Sequence, residues 1–145
     1  MKKISLLALI VAMSMGVFAA NKQPVALTAM PQVLQDTIAA HFTPDQVLIV
    51  TFEKVMPKHY VYEFRLVDGT KLKYTNKARL IKIENEKGID LAFVPSGIKK
   101  YVAETFPNAI ITEYKRSTMG QRIELNIDVE LVFDRSGRFL RITDF

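Results

Sequence analysis

Ser96-Gly97-Ile98-Lys99 spells S-x-x-K, the spacing in which a lysine one helical turn from a serine takes its proton and makes the hydroxyl a nucleophile. No S-D-N or K-T-G follows, and the 145 residues leave no room for a domain to frame them. Serine at a helix start is a routine capping residue, so no catalytic residue is expected. His41 and His59 are the only histidines; neither has a second ligand at helical or strand spacing, and a two-residue site at their junction is the most they could offer a metal. No metal site and no cofactor is expected. Asp134-Arg135-Ser136-Gly137 resembles a fragment of a calcium loop, but four residues between strands with glycine at the turn read as a hairpin. Its counterpart Thr75-Asn76-Lys77-Ala78 has neither the aspartate nor the glycine. Glu84, Glu86 and Asp90 fall in a polar link, where solvation explains them.

The elements that would position such residues start beyond residue 19. Residues 1–19 open on Lys2 and Lys3, continue through an apolar centre from Leu6 to Val11, and close on the small-residue site Val17-Phe18-Ala19, which predicts a cleaved secretory signal. A membrane anchor fits less well, because Ser5, Ser14 and Gly16 interrupt a stretch that barely reaches the roughly 20 residues a span needs. With no cysteine there is no thiol for a lipid anchor, no disulfide and no thiolate zinc site. The expected mature protein is periplasmic or secreted, has no integral membrane segment, and is held by its hydrophobic core. Losing Lys2 and Lys3 lowers the formal net charge from +5 to +3. The remaining basic residues interleave with acids, as in "KIENEK", and form no stripe that would bind nucleic acid.

Residues 20–28 show no period and are expected to be a mobile leader. From Pro31, Leu34, Ile38 and Phe42 recur at intervals of four, with Gln32, Gln35 and Asp36 on the other side; this predicts an amphipathic helix ending near Thr43-Pro44. Strand-like runs follow in "QVLIVTFEK", "YVYEFRLV", "TKLKYT" and "RLIKIE". Tyr60, Tyr62, Phe64 and Leu66 alternate with Val61, Glu63, Arg65 and Val67, a period of two that buries one face. Asp68-Gly69 marks a hairpin.

After "NEKGID" the same programme restarts. Pro95, Ile98, Val102 and Phe106 answer Pro31, Leu34, Ile38 and Phe42 at a constant offset of 64, and Phe133 answers Tyr74 at 59. Offsets that change only between elements indicate a duplicated unit. Units are expected at 29–86 and 87–145, each a helix followed by four antiparallel strands, with the helices on one side. Phe42 and Phe106 should anchor the core. The class is α+β; whether the two sheets join edge to edge or face to face stays open.

The "P…I…YV…TFPNA" helix and the strand series "IELNIDVELVFDRSGRFLRI", with a fainter first copy, resemble the PepSY-like, β-lactamase-inhibitor-like family of exported proteins of Bacteroides-type bacteria. The resemblance covers nearly the whole mature chain. It implies tandem helix-plus-sheet repeats in a β-lactamase-inhibitor-like layout and a non-enzymatic role. The β-lactamase inhibitor itself relies on disulfides, which this chain cannot form.

Alternation then locates a binding surface. If Leu48, Val50, Phe52, Tyr62, Phe64, Leu72 and Tyr74 face the helix, Thr51, Glu63, Arg65, Lys71 and Lys73 face away. In the second unit Glu113, Lys115, Arg122, Glu124, Glu130 and Val132 face away, opposite Ile110, Tyr114, Ile123, Leu125, Leu131 and Phe133. Such a face is ordinarily solvated. The leading expectation is a non-enzymatic module that holds a periplasmic protein or peptide on a face containing Arg65, Lys71, Lys73, Arg122, Glu124 and Glu130, or on loops carrying Met56, His59, Asp68 and Met119. The alternatives are a binder of an anionic small molecule or cell-wall glycan through Arg65, Lys71, Lys73 and Arg122, and an enzyme inhibitor presenting the Asp68-Gly69 hairpin.

Overall fold

The structure, a computed structural model, describes residues 21–144. The expected signal, residues 1–19, lies outside the described residues. In chain order the elements are β1 (Lys22–Pro24), α1 (Gln32–Ala39), β2 (Val47–Met56), β3 (His59–Leu66), β4 (Lys71–Thr75), β5 (Leu80–Glu84), α2 (Ser96–Thr105), β6 (Ile111–Ser117), β7 (Gly120–Leu125), β8 (Val129–Phe133) and β9 (Phe139–Asp144). Short 3-10 turns occupy Leu27–Ala29, Pro44–Gln46 and Leu91–Phe93. Among the described residues the architecture is α+β: nine antiparallel strands in one sheet, ordered as in the chain, with two helices.

Both helices start directly after a proline, Pro31 or Pro95, whose extended ψ sets the entry. Each presents a short apolar stripe: Leu34 and Ile38 from α1, and Ile98 and Val102 from α2, are buried in one cluster with Phe64, Leu72, Ile83, Ile123, Leu131 and Phe133. The core therefore runs continuously beneath both helices. The sheet is also continuous, because β5 pairs edge to edge with β6 through Lys82↔Lys115, Ile83↔Tyr114 and Glu84↔Glu113. An aromatic contact reinforces this join, with the His41 ring 4.8 Å and the Phe42 ring 6.0 Å from that of Phe93.

Several expectations need correction. Residues 21–28 are not all irregular: Lys22–Pro24 form β1, paired with Thr51 to Glu53 of β2. A three-residue edge strand containing proline carries no periodic signal. Helix α1 ends at Ala39 rather than near Thr43, and Phe42 lies beyond it with its N–H donating to the Ile38 carbonyl at 2.8 Å. Phe42 and Phe106 are consequently only partly buried against the core rather than its anchors. Leu48 and Ile110, assigned to the helix side, are 68% and 47% exposed. The cause is a β-bulge: Leu48 has no partner between Val47↔Leu66 and Ile49↔Arg65, and Thr112 has none between Ile111↔Leu125 and Glu113↔Glu124. An unpaired residue reverses the alternation on its far side, so Val47 and Ile111 take the inward places. A second pair of bulges falls at Ile81 and Leu140.

Candidate functional site

The face of the sheet opposite the helices carries the chemistry. Strand register, set by the hairpins, lines its outward residues into two rows that cross the strands. In one row Arg65 of β3 lies opposite Lys71, Lys71 opposite Glu84, and then Glu84, Glu113, Glu124 and Glu130 follow on β5 to β8. In the other, Glu63 lies opposite Lys73, and Lys73, Lys82, Lys115 and Arg122 follow on β4 to β7. Four carboxylates thus stand side by side, next to four cations side by side. Like charges directly opposite cost about 0.2–1 kcal/mol per pair, and ion pairs within and between the rows relieve this. Lys71 meets Glu84 at 3.2 Å, Lys82 meets Glu113 at 2.9 Å and also contacts Glu84, Lys115 meets Glu113 at 3.0 Å, and Arg122 meets Glu130 at 3.1 Å.

The structure brings all six face residues expected from sequence, Arg65, Lys71, Lys73, Arg122, Glu124 and Glu130, onto this surface. Sequence reasoning missed Lys22, Lys82 and Glu84. Extending the alternation of "LIKIE" by one strand would have found the last two, since Ile83 is fully buried between them. Glu84 is no solvated linker residue: its carboxylate belongs to β5 and pairs with Lys71 and Lys82. Burial alone would raise the Glu84 pKa, but hydrogen bonding from Lys82 and the charges of Lys82 and Lys71 hold it below the ordinary value. Lys82 shows the converse: burial opposes its charge, yet hydrogen bonds to Glu84 and Glu113 raise its pKa.

Glu63 is the most enclosed charge on the face, 6% exposed. Lys22 at 3.0 Å, Arg65 at 3.1 Å and Lys73 at 3.6 Å surround it. Burial pushes its pKa up, and the hydrogen bonds from Lys22 and Arg65, with the charges of Lys22 and Lys73, more than reverse this, so the pKa is lowered. A group with a depressed folded pKa contributes stability above its unfolded pKa and loses it as pH falls through the folded value. Glu63→Gln should therefore lower stability by about 1–3 kcal/mol at pH 7. The gap to the parent protein should start to narrow as pH falls below the ordinary glutamate range, about 4.3, where the unfolded parent takes up the proton, and close as pH passes the lowered folded value. Urea melts from pH 7 to pH 3 read this, and a gap constant over that range would contradict the assigned role.

The loop candidates do not come together. Met56, His59 and Met119 lie at hairpins on one end of the strands, whereas Asp68 lies at the other. Met119 is 91% exposed at its tip. The Asp68 carboxylate accepts the Thr70 N–H at 2.8 Å, which fixes its own turn around Gly69 at φ +92°.

Ser96 is exposed at the first position of α2, and Pro95, not Ser96, is the cap residue. His41 is exposed just past α1, and His59 is exposed at the start of β3. Asp134 Oδ1 accepts the N–H groups of Ser136 and Arg138, each at 2.9 Å. In the first unit Thr75 Oγ1 accepts from Lys77 N and Arg79 N at 3.3 and 3.2 Å. The two turns share one architecture, with Ala78 at φ +59° where Gly137 has φ +88°, so Asp134 acts as a turn residue. Among the described residues no three of His, Cys, Asp or Glu gather as a metal site, and no helix is long and apolar enough to cross a membrane.

The sequence pattern of the family described as "Putative beta-lactamase-inhibitor-like, PepSY-like" matches residues 17–82 and again 60–141. No protein with a curated description matches. Among solved structures, the chain is similar to a "putative calcium-regulated periplasmic protein" from Bacteroides thetaiotaomicron, with TM-score 0.78 and 25% identity over 88% of this chain and 100% of that one. A "putative periplasmic protein" from Bacteroides vulgatus gives TM-score 0.76 and 25% identity over the same shares. Another Bacteroides vulgatus protein, described as periplasmic and of unknown function, gives 0.75 and 24% over 85% and 99% and shares the fold.

Proposed function

The chain belongs to the PepSY-like, β-lactamase-inhibitor-like family and carries its pattern twice, and from that premise we propose a non-enzymatic, exported interaction module acting in the periplasm. Its two units are equivalent copies of a helix and four strands in a β-lactamase-inhibitor-like layout, and the open sheet face docks a protein or peptide. One observation carries the reading: the six expected face residues share a surface with Lys82, Glu84, Glu113 and Lys115, where Glu84, Glu113, Glu124 and Glu130 stand in one row and Lys73, Lys82, Lys115 and Arg122 in the next. Ordered charge of this kind confers register and partner discrimination more than raw affinity. Periplasmic residence follows the relatives and the expected leader.

The test must spare Glu63, which depends on Arg65 and Lys73. Replacing Lys71, Lys115 and Arg122 together with Gln should leave the melting curve within about 0.5 kcal/mol per site. Affinity for a partner identified from periplasmic extract should fall at least about tenfold, since several rim charges are lost. Met56→Ser with Met119→Ser is the matched loop control and should bind normally. Unchanged affinity in the triple variant would remove the face from consideration, and loss in the loop variant would move the site to the hairpins.

A second reading, binding of an anionic small molecule or glycan, is favoured by a cleft of about 220 Å³ on the same face. Lys22, Arg65, Lys71, Lys73 and Lys82 line it against only Glu63 and Glu84. Binding of that kind should weaken steeply as salt rises.

A further inference from the structure

We infer that the open face is self-complementary and that two copies of this chain associate through it, sheet against sheet, about a two-fold axis that runs along the charge rows. The inference rests on the reading that this face is a docking surface, and it names the partner as a second copy.

The argument follows from register. Two parallel rows of opposite sign, on one surface, are exchanged by a two-fold axis lying between them and parallel to them. Strand order is preserved under that rotation, so each strand lies over its own equivalent, while the carboxylate row of one copy falls on the cation row of the other. Glu84 then faces Lys82 of the second copy, Glu113 faces Lys115 and Glu124 faces Arg122, and each contact occurs twice because such an interface is isologous. Arg65 falls on Glu63 in the same way. Lys71 over Lys73 is the one like-signed opposition between β3 and β8, at the periphery of the central strands.

No other in-plane two-fold does this. An axis parallel to the strands keeps each row over its own kind and sets Glu84 against Glu113. Glu124 adds a further reason, because among the described residues no ion pair reaches its carboxylate, although carboxylates stand opposite it on both sides, Glu113 and Glu130. Arg122 of a second copy would relieve that row. Stacked sheets lie about 10 Å apart with their strands within about 30° of alignment, a gap that opposed Lys and Glu side chains span. Half-exposed pairs and retained water make such an interface specific rather than tight.

Sedimentation equilibrium of the purified chain at low salt should show a monomer–dimer equilibrium. Raising the salt from about 20 mM to about 500 mM should weaken it by tenfold or more as the Debye length collapses. The variant E84K/E113K/E124K has two basic rows, and K82E/K115E/R122E has two acidic ones. Each alone should dimerise at least about 100-fold more weakly than the parent, given the cost of opposed like charge, whereas an equimolar mixture should form a heterodimer. The six-fold variant with both rows exchanged keeps the contacts of residue 82 with 84 and 113 and of residue 115 with 113, with their signs reversed. It loses Lys71–Glu84 and Arg122–Glu130, so circular dichroism reports folding of every variant, and once folded it should dimerise like the parent. A parent chain monomeric at low salt overturns the inference, as does a dimer that persists in both three-fold variants, which would place the contact elsewhere, for instance at the β9 edge. If the parent is monomeric but still captures a foreign periplasmic partner that the three-fold variants lose, the docking-face reading survives and only its self-association fails.

Discussion

Phe133→Ala should lower the unfolding free energy by about 3–5 kcal/mol, the range for emptying a packed aromatic site. Phe133 is fully buried. Its ring meets Tyr101 edge-on at 5.6 Å and Phe139 at 5.8 Å, so it joins α2 to the last hairpin. Phe106→Ala, at a partly buried position outside the helix end, should cost about 1–2 kcal/mol because less apolar area leaves water there. Urea melts of the two variants measure the difference, and equal losses would refute the ranking.

The second large effect lies at Gly120, with φ +150° and no space for a side chain: a Cβ there would sit 2.5 Å from the Phe133 carbonyl oxygen. Gly120→Ala must either distort the backbone or push β8 away from β7. The expected cost is about 3 kcal/mol, combining the conformational penalty with the clash. Gly69→Ala is the informative contrast, because its φ is also positive but nothing lies within 4 Å of the added carbon. It should cost about 1 kcal/mol, the conformational part alone. If both substitutions cost the same in thermal melts, the Phe133 carbonyl gives way more easily than the close approach implies.

Elements that repeat within a strand or helix were legible from sequence. Tyr62, Phe64, Leu72 and Tyr74 face the core as their alternation predicts, and so do Leu34 and Ile38. Leu48 and Ile110 were misassigned because nothing in a run of apolar residues marks which one a bulge leaves unpaired. The face residues were legible one by one, but the rows were not. Strands β3, β5, β6 and β7 each show only one acid beside one base, as in Lys82 and Glu84, and the order across strands depends on strand register. Lys22 escaped because its strand is recognisable only by its pairing with β2.

Because the nine strands lie in chain order, nearly every pairing closes a short loop, which favours fast acquisition of structure for a sheet protein. The β5–β6 join, across α2, and β1, across α1, are the exceptions. Lys22 pairs with Glu53 only after α1 has been placed between them, and the three residues of β1 return little for that closure. β1 should dock late and exchange its amide hydrogens early. The delay reaches the charged face through one side chain: until Lys22 arrives, Glu63 is held by Arg65 and Lys73 alone, and a late-docking edge strand supplies the remaining cation around the most enclosed charge.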